Sequence, residues 1–565
     1  MQVFSKISIF TILLLFKAYS VLAGDPKKII FIFIDDLRPD IGIYGNDKIY
    51  TPTLDSLGKA GTVFENAYCQ QALCSPSRSS ILTGVRPDSI KVNDLSTHFR
   101  SSVPEIKTIP QFFKDKGYLS AGFGKIFHGK SLDDSLSWSN ESYYPPRLLW
   151  VNESNLKIRD SLIALGSKLP YSYPYERGES EDNDDYRDGL ITSKVIDYIR
   201  NHQSDSFFLA LGYYKPHLPF SCPSKYWDIY DSINFSFDVP NNWPENSFDF
   251  VTSEFEELRN YFGIPATGRI TDEKTILNLR QGYYACISFV DDQLRRLFNE
   301  LRNLGLANDV TIVLVGDHGY KLGEYGSWAK HTNYGIDTRI PLMFTGPSIP
   351  AMKVPDVVEG IDIFPTLVDL YFDDFQDSNF EGQSLVPAFE DKGLSKDYAI
   401  SQFPKSKYMG YSLFRNDYRL IVWNDFTNAE TPSSIELYDH RTDKAETKNI
   451  YNPSDTTNVS LVKKLINGTC VEIRFPKKIT GFGSNSSDLQ IEIFNDVLKI
   501  SLPVIGECDR SFNVLVHDIM GRVIFSGGGQ TGYNINLKEI KGSVFFVKAI
   551  GGGHRSSSKY FITNL

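Results

Sequence analysis

Three stretches of the chain, 29–34, 207–212 and 310–315, are apolar and contain no charged residue. A strand with one solvated face alternates in polarity. A continuous apolar run suits a strand covered on both sides, as in a parallel sheet. Between the second and third runs, Ile276, Leu279, Tyr283, Ile287, Val290, Leu294, Leu297 and Leu301 recur three or four residues apart. That spacing predicts an amphipathic helix over 275–304. Strands alternating with helical stretches over 25–465 predict an α/β domain with a doubly wound sheet. The pattern lapses in 130–190, which is polar, carries the acidic run 179–185 and reads as a long surface insertion. Short strands return over 398–439 and predict a small second sheet.

The last hundred residues follow a different pattern. Residues 467–565 hold 13 of the 41 Gly and no Trp, and carry a net charge of +3 against −13 for the rest. Period-two alternation predicts strands at 488–494, 497–502, 512–518, 523–526, 544–549 and 559–563, with a hairpin turn at 518–521. This reads as a C-terminal all-β sandwich. The expected divisions are a signal peptide at 1–23, a catalytic α/β domain at 24–390, a smaller subdomain at 391–466 and the sandwich at 467–565.

Composition narrows the function. A chain of 565 residues with 41% hydrophobic and 23% charged residues is an ordinary multi-domain globular protein. A net charge of −10 argues against a nucleic-acid-binding face, so an anionic substrate must meet a local basic pocket. Lys6, the apolar run 7–16 and the small-residue site Val21-Leu22-Ala23 form a secretory leader rather than a membrane span. No later run is long enough to span a bilayer, so export is expected. Six cysteines do not make a disulfide scaffold, although Cys470 and Cys508 lie in the same tail region and are a candidate pair.

Two of the apolar runs end in acids. Residues 29–34 lead into Asp35-Asp36, and 310–315 into Gly316-Asp317-His318-Gly319. In an open α/β sheet, ligands bind beyond the carboxyl ends of the strands. Three carboxylates gathered there repel one another, and a divalent cation relieves the repulsion. Oxygen donors favour Ca²⁺ or Mg²⁺ over zinc. Elsewhere, Cys74-Ser-Pro-Ser-Arg78 opens a predicted helix, where free backbone N–H groups favour an anion and Arg78 lies one turn on. An activated nucleophile beside an anionic group follows.

That string, with Leu82-Thr83-Gly84 after it, resembles the signature of the type I sulfatases, whose cysteine is oxidised to formylglycine. Gly124-Lys125-Ile126-Phe127-His128, Lys215-Pro216-His217 and Trp328-Ala329-Lys330-His331 are similar to further motifs of that family. Asp36-Leu37-Arg38-Pro39, Gln70-Gln71-Ala72 and Met409-Gly410-Tyr411-Ser412 resemble its iduronate-2-sulfatase branch. The resemblance spans 28–451. It implies an alkaline-phosphatase/sulfatase-like fold, with Asp35, Asp36, Asp317, His318 and the residue derived from Cys74 around one cation. It implies that a hydroxyl of hydrated formylglycine attacks sulfur and that the second hydroxyl later expels sulfate. Arg78, Lys125 and Lys330 would neutralise sulfate oxygens, His217 would protonate the leaving sugar oxygen, and His128 would be the base. His331 would stand in the layer behind them.

Residues 512–565 resemble the sorting domain of type IX secretion, through Val516-His-Asp-Ile-Met-Gly-Arg522 and Gly542-Ser-Val-Phe-Phe-Val-Lys548. The expected protein is a secreted or cell-surface sulfatase acting on a sulfated polysaccharide, such as algal ulvan with its sulfated rhamnose and uronate. A formylglycine-generating enzyme and a secretion machinery are the implied partners. The alternatives are a glycosaminoglycan iduronate-2-sulfatase, a phosphatase or phosphodiesterase on the same scaffold, and an inactive exported glycan-binding protein.

Overall fold

The computed structural model describes residues 27–469 apart from 234, 236–239, 254–255, 373–379 and 429–430, with 471, 473 and the backbone of the tail strands between 490 and 561. The leader and the Cys470/Cys508 pair lie outside the described residues, as does the 518–521 turn. Seven strands build the main sheet: β1 (Lys28–Ile34), β2 (Thr62–Tyr68), β3 (Leu119–Gly124), β4 (Phe207–Tyr213), β5 (Val310–Gly316), β6 (Arg339–Thr345) and β7 (Met352–Glu359). Their order is β7-β2-β6-β5-β1-β4-β3.

The central strand β1 justifies its unbroken apolar sequence. Ile30, Ile32 and Ile34 join the core on one face, while Ile29, Phe31 and Phe33 join the core on the other. Helix α3 (Glu273–Asn303) covers the first face through Leu279, Tyr283, Ile287, Leu294 and Leu297. Its start is capped by Asp272, which accepts a hydrogen bond from the Thr275 amide.

The sheet is mixed rather than parallel throughout. Strand β6 runs antiparallel to both β5 and β2, whereas β1 is parallel to β4 and β5. Pro341 lies where the β6–β2 register shifts, between Ile340 and Leu342. A residue without an N–H fits such a bulge and not a regular ladder, and it hid the strand from the pattern.

The 130–190 segment is less of a surface loop than its polarity suggested. It contains a helix (Glu153–Ala164) and a strand (Tyr175–Gly178) paired with Phe220–Pro223. Its buried Glu176 is satisfied by the amides of Val151 and Asn152 and the side chains of Asn155 and Ser221. Residues 398–439 supply the small second sheet, four strands paired in chain order.

Two compact units divide the chain. One takes in residues up to Ser406 with Phe414–Arg419 and Tyr438–Asn449, and the other takes in Lys407–Leu413, Leu420–Leu437 and everything from Ile450 on. In the tail, three strands (Gln490–Phe494, Val497–Ser501, Tyr533–Asn536) form one antiparallel sheet, and four (Phe512–His517, Val523–Gly529, Val544–Gly551, His554–Phe561) form another. The strand at Tyr533–Asn536 was not anticipated. Among the described residues, no helix is long and apolar enough to cross a membrane.

Candidate active site

Register brings the site together. Ile34 stands opposite Gly316 on one side and Tyr213 on the other. The residues that follow, Asp35, Asp317 and Tyr214, therefore leave the sheet along one carboxyl edge. Asp36 adopts a left-handed conformation, with φ +60°, that Asp tolerates better than most residues. Its amide donates to Asp317 Oδ1 at 3.0 Å, and its carbonyl accepts from the Tyr283 hydroxyl of α3 at 2.8 Å.

Helix α1 (Cys74–Thr83) delivers the nucleophile candidate. All ten of its residues are buried, and Leu73 before it offers no side-chain cap. The first-turn amides therefore remain free to favour negative charge near Cys74. Arg78 is wholly buried and ties two strand ends together. Its Nη2 donates to Asp35 Oδ1 at 2.8 Å and its Nε to Asp317 Oδ2 at 2.9 Å. Lys125 comes from the end of β3, where its amide donates to the Gly212 carbonyl at 2.8 Å. A Cβ on Gly212 would stand 1.9 Å from the Lys125 carbonyl oxygen, so only glycine allows this approach. The Lys125 ammonium pairs with Asp35 and lies 3.7 Å from Cys74 Sγ. Lys330 contacts both oxygens of Asp36, at 2.8 and 3.1 Å, and Glu257 at 3.0 Å.

His318 Nε2 lies 3.3 Å from Cys74 Sγ and 3.5 Å from Asp36 Oδ1, while its Nδ1 faces the Gly319 carbonyl at 3.0 Å. His217 Nε2 meets Glu257 at 2.8 Å, and its Nδ1 meets the Leu218 carbonyl at 2.8 Å. With an acceptor at each nitrogen, the ring carries both protons. His128 keeps its Nδ1 buried without a hydrogen-bond partner among the described residues. His331, at φ +85°, is half-buried and stacks on Phe403, 5.6 Å between ring centres.

Three donor groups, Asp36/Cys74/His318, Asp35/Cys74/Asp317 and Asp35/Asp36/His217, each have ligand atoms within 4.8 Å of one another. The set is dominated by carboxylate oxygen and fits a hard divalent cation. The electrostatics agree. Burial raises Asp317 to about 6 against the pull of Arg78, and burial raises Asp36 despite Lys330. Burial also pushes Asp35 upward, but Lys125 and Arg78 overcome it and hold the carboxyl well below its usual range. The Cys74 thiol is likewise driven well down by Lys125 and Lys330 in spite of burial. His318 rises to about 10, because Asp317 and Cys74 outweigh burial. His331, desolvated and next to Lys330, falls to about 3 and stays neutral. The acids and thiol are balanced only with His318 protonated, and a divalent cation can take the place of that proton.

Sequence reading missed Glu257, which bridges His217 and Lys330 from a four-residue helix (Glu256–Arg259). A lone glutamate in a polar stretch carries no signal. Cys69, close by in sequence, is a buried free thiol, as are Cys222 and Cys286.

A seven-stranded α/β sheet with an acid-lined carboxyl edge and a buried, activated cysteine defines a hydrolase of anionic esters. The Sulfatase family matches residues 27–372, and the C-terminal part of the N-sulphoglucosamine sulphohydrolase family matches residues 323–470. Human iduronate 2-sulfatase is 30% identical over 512 residues, covering 76% of this chain and 92% of that protein. The structure of BT4656 with its substrate D-glucosamine-2-N,6-O-disulfate superposes with a TM-score of 0.60 at 20% identity, covering 78% of this chain and 96% of that one. A phosphonate monoester hydrolase of Agrobacterium radiobacter reaches 0.59 at 19% identity, covering 78% and 94%. The fold alone therefore does not choose between sulfur and phosphorus, whereas the family match does. The chain belongs to the sulfatase family and is a sulfuric ester hydrolase.

Proposed function

We propose that this sulfatase is exported and removes sulfate esters from an anionic polysaccharide of the ulvan type, using a formylglycine made from Cys74 and one divalent cation, Ca²⁺ before Mg²⁺. The observation that carries the reading is the meeting of Cys74 with Asp35, Asp36, Asp317 and His318 inside a ring of three buried cations. When present, the hydrated aldehyde supplies an oxygen nucleophile that can regenerate itself, and the cation supplies the positive charge that makes that hydroxyl acidic.

The remaining tasks fall to the chain. Arg78 fixes Asp35 and Asp317 so that their outer oxygens converge. Lys125 and Lys330 face the reacting position and offset charge on the sulfate oxygens. His217, holding both protons, donates one to the sugar oxygen as the S–O bond breaks. His128, with an unpartnered nitrogen, accepts a proton from the nucleophile residue. Export rests on the 1–23 leader and the sorting-like tail. The likeness to iduronate 2-sulfatase supports a uronate-bearing substrate. It also favours glycosaminoglycan 2-O-sulfate as the second reading.

Two measurements test this. The peptide containing residue 74 should be lighter by about 18 Da in active protein, as expected when a thiol becomes an aldehyde. An active preparation with only unmodified Cys74 would refute the nucleophile. Sulfate release from defined oligosaccharides of ulvan and of glycosaminoglycans decides the substrate.

A further inference from the structure

Arg187 is out of balance with its surroundings. It opens helix α2 (Arg187–Asn201), and its guanidinium lies flat on the Tyr214 ring, 3.2 Å from the ring centre. Its Nε is buried and has no hydrogen-bond partner, and no carboxylate lies within ion-pair distance among the described residues. The neighbouring Asp188 attracts it from a distance, while that carboxylate accepts from the backbone amides of Tyr214 at 2.6 Å and Lys215 at 3.2 Å. The half-buried guanidinium gains from the Tyr214 ring, and its Nε is left without a partner. A planar group with five donors keeps capacity for an oxyanion.

A second guanidinium stands nearby. Arg147 donates to the Tyr171 hydroxyl at 2.9 Å, has no carboxylate partner among the described residues, and repels Arg187 enough to help lower its affinity for a proton. Tyr171 stacks on Tyr261, 4.9 Å between centres. The pair adjoins the reaction centre, because Tyr214 follows the end of β4 beside Asp35, three residues before His217.

We propose that Arg187 and Arg147 form an anion subsite next to the scissile sulfate. It takes a second negative group of the substrate, a uronate carboxylate or another sulfate, on the sugar bearing the ester or its neighbour. A planar guanidinium matches either oxyanion with paired hydrogen bonds. Tyr214 and Tyr171 hold the two forks. The inference rests on the polyanionic-glycan reading and narrows it: a glycan with no anion besides the scissile sulfate would make no use of either arginine.

The test compares kcat/KM for 4-nitrophenyl sulfate and three matched oligosaccharides. One carries a uronate, one has that carboxyl reduced to an alcohol, and one has a second sulfate in its place. The wild type should prefer an anionic oligosaccharide over the reduced one by about 10–100-fold, the worth of a hydrogen bond to a charged group. Which anion gives the preference identifies the source. Arg187→Gln should erase the preference, and Arg187→Lys should restore part of it. The loss on 4-nitrophenyl sulfate should be several-fold smaller. Arg187 makes no ion pair within 4 Å among the described residues, so its loss should change the melting temperature little. Equal losses on all substrates, or no wild-type preference for a second anion, would overturn the subsite. If the aryl sulfate is cleaved and no oligosaccharide is, the polysaccharide reading fails and the subsite with it.

Discussion

Two of the buried clusters of acids and bases in the α/β body close their charges differently. At the end of β7, Glu359 accepts from Arg86 at 2.8 and 2.6 Å, from Lys396 at 2.7 Å and from the Ile400 amide at 2.8 Å. Asp362 accepts from Lys396 at 2.8 Å and from the amides of Gln383 and Glu359 at 2.8 and 2.7 Å. Two acids meet two bases, and backbone donors take up the remaining oxygens. At the other cluster, Asp35, Asp36, Asp317 and Glu257, with a thiol driven toward thiolate, face only Arg78, Lys125 and Lys330 as permanent cations. Titration alone does not separate the two, because burial raises Asp362 as it raises Asp36 and Asp317. The source of the balancing charge does. The first cluster closes on permanent cations and backbone amides and acts as a clamp. The second balances its acids and thiol only while His217 and His318 hold protons, and a divalent cation can replace the proton on His318.

The largest effect that tests this contrast is a crossed pair of substitutions, with activity read in metal-loaded protein and melting temperature in chelated protein. Asp317→Asn removes one of the two acids that Arg78 holds, and Arg78 keeps Asp35 as its partner. Activity should fall at least ~10³-fold, about 4 kcal/mol of transition-state stabilisation, while the melting temperature changes little. Glu359→Gln leaves Arg86 and Lys396 sharing only Asp362. Breaking a buried pair in this way costs about 3–5 kcal/mol, so the melting temperature should drop while turnover per folded molecule is kept. If Asp317→Asn destabilises the chelated protein more than Glu359→Gln does, the contrast is wrong.

The next effect separates the clusters by their response to metal. Adding Ca²⁺ to chelated wild-type protein at a hundred times its dissociation constant should stabilise it by about 2.7 kcal/mol, because the ion binds only the folded site. Calorimetry should show this rise for Glu359→Gln and not for Asp317→Asn. A rise in both variants would place the cation elsewhere.

How much of this was legible depends on whether a residue's role is local. Asp35, Asp36, Asp317 and His318 could be read because each follows an apolar run that can only be a covered strand, so the chain places them at a sheet edge. Cys74 and Arg78 could be read because helix spacing puts them one turn apart. The three apolar runs are parallel neighbours, as read, whereas β6, where Pro341 interrupts the pattern and the strand turns against its neighbours, left no such run to read. Glu257 and Arg187 were invisible for another reason. Glu257 matters through contacts with residues 40 and 73 positions away, and Arg187 through a ring 27 positions on. No periodicity or spacing encodes such meetings. Arg187 stands out only once the structure shows its guanidinium over Tyr214 with no carboxylate in ion-pair distance among the described residues.

The smallest effect concerns acid. Arg86 and Lys396 overcome the upward push of burial and hold Glu359 at about 2 in the folded chain. An unfolded glutamate titrates near about 4.3. A depressed folded value means that the unfolded chain takes up the proton first as pH falls. The stabilisation is therefore full above about pH 5 and is lost progressively toward pH 2, a change on the order of 2–3 kcal/mol. Glu359→Gln cannot titrate there. The melting-temperature gap between wild type and Glu359→Gln should thus be wide at pH 6 and shrink as the solution is acidified toward pH 3. A gap that stays constant over that range would mean that packing around residue 359, rather than its charge, holds the clamp. The contrast between a closed and an open cluster would then lose its electrostatic basis.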